Sequence, residues 1–165
     1  MGFVIFLNGK AGIDQSRCVG CGRCIGACPV KAVKEASEDA NDILSCKMAE
    51  YACAVVKDRP QFHISLAIDI SPFCDCHAEN DAPILPNIGM FASFDPLALD
   101  QACVDACLAA NPMPNSQLWD NLKRPGFADW GDPFKNSTPE SEWRACLDHA
   151  EKIGLGSREY ELIKL

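Results

Sequence analysis

Apolar spacing divides the chain into elements before any single residue is considered. From about Asp39 to Lys57 the residues Ile43, Leu44, Met48, Tyr51, Val55 and Val56 recur at helical spacing, with no glycine or proline between them. This spacing predicts a helix. Phe62, Ile64, Leu66, Ile68 and Ile70 then alternate with His63, Ser65, Ala67 and Asp69, which predicts a strand with the first set on one face. Pro72, Pro83, Pro86 and Gly89 interrupt the stretch from Ser71 to Asp95 and predict an ordered loop. Asp95-Pro96 offers a capping side chain and a first-turn proline, so a helix should run to about Ala110 and stop at Asn111-Pro112. Residues 111–137, rich in proline and glycine and carrying Trp119 and Trp130, are expected to wrap the surface without regular structure. Thr138-Pro139-Glu140 should open a last helix whose Trp143, Leu147, Ala150 and Ile153 share a face and which Gly154 ends. At the other end, Phe3 to Leu7 is apolar and Asn8 to Gly12 reads as a turn.

Composition narrows the class. The 165 residues are 48% hydrophobic and 23% charged, which excludes collagen-like, coiled-coil and wholly disordered chains. The run from Phe3 to Leu7 is far shorter than the roughly 18 residues of a membrane span, and no basic stretch precedes it as in a signal peptide. No membrane partner and a cytoplasmic location are therefore expected. Residues 1–60 hold eight Lys and Arg against seven Asp and Glu, whereas residues 61–165 hold seven against sixteen. Without a dense basic run the chain is not expected to bind nucleic acid; its acidity serves solubility or a basic protein partner.

Eleven cysteines change the picture most. In a reducing compartment they are thiolate ligands or buried thiols rather than a disulfide framework. Cys18, Cys21, Cys24 and Cys28, followed by Pro29, have the spacing C-x2-C-x2-C-x3-C-P that holds a [4Fe-4S] cluster in bacterial ferredoxins. Two-residue gaps let one tight loop aim three sulfurs at a small cube, and Gly20 and Gly22 permit the backbone angles this wrapping needs. Val19, Ile25 and Val30 would exclude water. Zinc is the competing reading, although tetrahedral zinc sites usually pair two separate Cys-x2-Cys elements. In two-cluster ferredoxins the last cysteine of a run serves the other cluster. Hence Cys28 closes the local site, or Cys46, Cys74 or Cys76 folds back, or a ligand comes from an upstream segment.

Cys46 and Cys53 share one predicted helical face and Cys103 and Cys107 another, as buried small hydrophobes also would. Cys74 and Cys76 differ, because they follow the strand in a loop with His77, Glu79 and Asp81. They could add metal ligands, form a redox pair or simply pack. With Asp81 and the start of the Asp95 helix they are expected to form a polar pocket, and an enzyme site would lie near Cys74, Cys76, Asp81 and Asp100.

The cysteine run is followed in one order by Lys47-Met48-Ala49-Glu50-Tyr51-Ala52, Cys74-Asp75-Cys76, Asn80-Asp81-Ala82-Pro83-Ile84, Ile88-Gly89, the segment Asp95 to Ala102 and the segment Gly154 to Leu162. This order resembles the carboxy-terminal part of domain-of-unknown-function family 362, proteins with a ferredoxin-type insert, over nearly all of residues 10–165. The resemblance implies the cluster and leaves the substrate blank. It also implies a long upstream region, and an aspartate where Asn87 stands. The expected fold class is α+β: a ferredoxin-like iron–sulfur segment at residues 1–37, then a small α/β region at 38–165 with one or more strands and three helices. The expected function is one-electron transfer to a redox partner protein or a missing upstream domain. The alternative is a fragment or subunit of an iron–sulfur enzyme whose cluster is structural or auxiliary. The sequence contains no nucleophile–base pair, phosphate loop or dinucleotide fingerprint.

Overall fold

The computed structural model describes residues 4–7, 9–14, 16–18, 23–30, 32–33, 40–73 and 80–165. The chain mixes helix and strand and divides into two compact units, Met1–Glu38 and Asp39–Leu165.

In the first unit β1 (Val4–Leu7) and β2 (Lys10–Ile13) pair antiparallel, with Leu7 opposite Lys10 and Val4 opposite Ile13. The expected turn over residues 8–12 is thus shorter, because Lys10 onward is already strand. Asn-Gly suits such a two-residue connection, and Gly9 has φ +74°. A short helix, α1 (Arg23–Ala27), follows.

In the second unit α2 (Ala40–Val56) precedes β3 (His63–Ala67), β4 (Gly89–Ser93) and α3 (Pro96–Leu108). Then come α4 (Gln117–Lys123), α5 (Pro133–Ser137) and α6 (Trp143–Lys152). β3 and β4 are antiparallel, with His63 opposite Ser93 and Ala67 opposite Gly89. One face of this ribbon lies on α3, α3 also meets α6, and α2 lies along α6. Leu97, early in α3, joins Ala49, Leu147 and Ala150 in one buried cluster, while Cys107, late in α3, joins Ile84, Leu85 and Leu118 in another. α3 thereby connects both cores.

Several expectations are corrected. Among its described residues the second unit has five helices rather than three, because residues 111–137 contain α4 and α5. Each of these has a side-chain cap: Ser116 accepts from the Trp119 N–H, and Asp132 from those of Phe134 and Lys135. Asp132-Pro133 repeats the Asp95-Pro96 start signal, so α5 was readable. The Ser71–Asp95 segment contains β4, whose partner is supplied by β3 and not by local sequence. The last helix begins at Trp143 rather than near Thr138, whose hydroxyl donates instead to the Pro72 carbonyl at 2.8 Å. Its end is as expected: Gly154 has φ +76° and the Leu155 N–H reaches the Ala150 carbonyl. Along α2 the side chains Ile43, Leu44, Met48, Tyr51 and Val55 are exposed, and Ala49 is buried. Small side chains let α2 lie close to α6, which turns the larger ones outward.

Asp132 anchors the α5–α6 corner. It is 1% exposed, and its carboxylate also accepts from Trp143 Nε1 at 2.9 Å and Arg144 Nη1 at 2.6 Å. Burial alone would raise this carboxyl, but the Trp143 and Arg144 donors, with the Lys135 N–H, hold it below the usual value. A carboxyl depressed in the fold stabilises above its unfolded value near 3.9, and that stabilisation is lost as pH falls through the folded value. Asp132→Asn keeps a capping oxygen and loses the charge, so it is expected to cost about 1–2 kcal/mol at pH 7. Urea melts of both proteins should show this gap closing below about pH 4. A gap independent of pH would mean that the carboxylate charge is not what holds the corner.

Candidate functional site

The cysteine run begins from a turn closed by Asp14. The Asp14 carboxylate accepts from the Ser16 N–H at 3.1 Å and the Ser16 hydroxyl at 2.7 Å, and its carbonyl accepts from the Arg17 N–H at 3.2 Å. This turn leads directly into Cys18, which is exposed. Cys24 lies on α1, and Cys28 follows it by four residues with its N–H on the Ile25 carbonyl, so one helical turn carries both half-exposed cysteines. The Ala32 N–H donates to Cys28 Sγ at 3.3 Å. An amide aimed at sulfur favours the thiolate over the thiol and is the kind of contact that tunes sulfur ligands. Sequence reasoning missed this donor, since nothing in residue type marks a backbone amide.

Cys21 lies outside the described residues, and among the described ones no group of three or more Cys, His, Asp or Glu gathers as a metal site. The donor chemistry nevertheless fits a cluster: Cys18 and Cys24 form no disulfide, and Cys28 has its amide donor. Ile25 on α1 and Val30 beyond it, read above as water-excluding, are at the surface, and Val19 lies outside the described residues.

The remaining described cysteines belong to the second unit, where Cys53 is half-buried beside a cavity also lined by Ile153 and Leu155. Cys46 Sγ donates to the Ala145 carbonyl at 3.9 Å, across the α2–α6 contact. Burial pushes the thiols of Cys103 and Cys146 up, and that of Cys107 up to about 11. Burial thus disfavours the thiolate form at all three.

Cys74 and Cys76, with His77 and Glu79, fall outside the described residues. The chain entering their loop is ordered by Asn80, whose side-chain amide donates to Ser71 Oγ and the Phe73 carbonyl, both at 3.1 Å. Ser71, Pro72 and Phe73 line a cavity of about 470 Å³ together with Asn41, Thr138 and Glu142. Asp81, Asp95 and Asp100 are not among its described walls. Asp81 is exposed and accepts from the adjacent Ala82 N–H. Asp95 caps α3, and Asp100 on that helix lies within electrostatic reach of His63 and Cys103. Asn87 accepts from the Asp69 N–H at 2.9 Å, holding a residue with φ +49° just after β3. An aspartate would offer the same oxygen.

A family model described as Domain of unknown function (DUF362) matches residues 15–105, from the cysteine run through most of α3. No curated protein and no solved structure matches the chain. Among the described residues no helix is long and apolar enough to cross a membrane.

Proposed function

The chain belongs to the DUF362 family, and from that premise we propose that it is a one-electron carrier whose Cys18, Cys21, Cys24 and Cys28 hold a [4Fe-4S] cluster in a ferredoxin-type segment. The observation that carries this reading is the C-x2-C-x2-C-x3-C-P run with the Ala32 amide already on the Cys28 sulfur. Such a cluster, when bound, takes up and releases single electrons at a potential set by its surroundings.

The chain's own residues do the rest. The Asp14 turn fixes the approach to Cys18, α1 sets Cys24 and Cys28 one turn apart, and the Ala32 amide stabilises negative charge on Cys28. The surface position of Cys18, Ile25 and Val30 leaves the loop open to an approaching redox protein.

Protein prepared and reconstituted without oxygen should contain about four irons and four sulfides per chain and show a reversible couple by voltammetry. Zinc bound without sulfide would overturn the cluster. A bound cluster with no accessible couple, beside turnover of a substrate, would favour the enzyme reading instead.

A further inference from the structure

Alternation along β3 and β4 sorts their side chains onto two faces. His63, Ser65, Ala67 and Phe91 belong to the face that lies on α3. The opposite face consists of Ile64 and Leu66 of β3, their partners Ala92 and Met90 of β4, the Phe62–Phe94 ring pair at one end, with centroids 5.0 Å apart, and Ile68 at the other. The six large side chains of this set are between 41% and 75% exposed. Their alternation marks a shared face, and the tertiary structure leaves it at the surface.

We propose that this face is closed by the same face of a second copy of the chain, giving a two-fold homodimer. Area is the first reason. Six such side chains at this exposure present on the order of 700 Å² of apolar surface, above the patch of a typical monomer and close to the roughly 800 Å² per partner of a stable interface. Charge is the second. None of these seven residues is charged, so stacking two copies here buries no like charges against one another. Shape is the third. Among the described residues the sheet has two strands, and a two-stranded ribbon is marginal unless it is packed on. α3 covers one side, and an identical ribbon stacked about 10 Å away would cover the other. Such a contact is self-complementary, as two-fold symmetry requires. It is independent of what the cysteine run binds.

Sedimentation equilibrium of the whole chain under anaerobic conditions, from about 1 to about 100 µM, tests this directly. The wild type should show twice the chain mass of 17.9 kDa. Leu66→Lys and Met90→Lys place a charge on the exposed face without touching the core, so they should weaken association by at least about 100-fold and leave the far-UV spectrum unchanged. Tyr51→Lys, on the exposed stripe of α2, should leave the dimer intact. A wild-type chain that stays monomeric throughout would overturn the proposal and assign the face to another polypeptide. A dimer that survives both sheet variants, or that only Tyr51→Lys breaks, would overturn it as well.

Discussion

Gly156→Ala is expected to destabilise the second unit by about 3 kcal/mol and lower its melting temperature by roughly 10 °C, although the change adds one methyl near the end of the chain. That methyl would stand 2.7 Å from Asp95 Cγ and 2.8 Å from Oδ2, and closer still to Oδ1. Asp95 has no room to give, because both its oxygens are engaged. Oδ1 accepts from the Leu97 and Ala98 N–H groups at 2.8 and 3.0 Å, and Oδ2 accepts from the Ser157 N–H at 2.9 Å. The single carboxylate therefore caps α3 and docks the tail, which Arg158 then fastens through Gln101 and Asp148 and Tyr160 through Asp105. Pushing it aside loses a cap worth about 1 kcal/mol and strains the packing besides. Gly154→Ala is the comparison: its φ of +76° disfavours a side chain, but the space is open, so about 1 kcal/mol is expected. If thermal melts rank the two variants in the opposite order, the tail is not held on Asp95 as the structure has it.

Cys24→Ser should abolish bound iron and sulfide almost completely, and Cys28→Ser should be equally damaging. The comparison matters because the run permits a half-module in which Cys28 serves elsewhere. Cys28 follows Cys24 by one turn and receives the Ala32 amide, and the expectation that Cys28 is a local ligand rests on these two contacts. Cluster lifetime in air, followed by absorbance near about 400 nm, separates the cases. A Cys28→Ser protein that keeps its cluster as long as the parent would show that the fourth ligand lies outside the run. Cys74→Ser with Cys76→Ser should leave the iron content unchanged, and loss of iron there would make those two residues ligands.

Local chemistry made part of this molecule legible in advance. The α2 spacing, the Asp95-Pro96 start of α3 and the Gly154 stop of α6 were readable because periodicity, capping and left-handed glycine act within a few residues. The cysteine run is likewise a local pattern, and the cluster proposed for it rests on that spacing. α5 had a written signal too, in Asp132-Pro133, hidden among breakers that suggested irregular chain. What the sequence alone could not decide is where each apolar face goes. The alternation from Phe62 to Ile68 and the stripe along α2 mark which side chains share a face, but burial depends on which elements arrive from elsewhere in the chain. α3 took the His63–Ser65 side of the ribbon, and α6 met α2 through Ala49 and Cys46, leaving both larger stripes in solvent. β4 likewise needed β3 to become a strand, and Gly156 needed the tail to return to Asp95, contacts that join residues far apart in sequence and leave no mark in any local window.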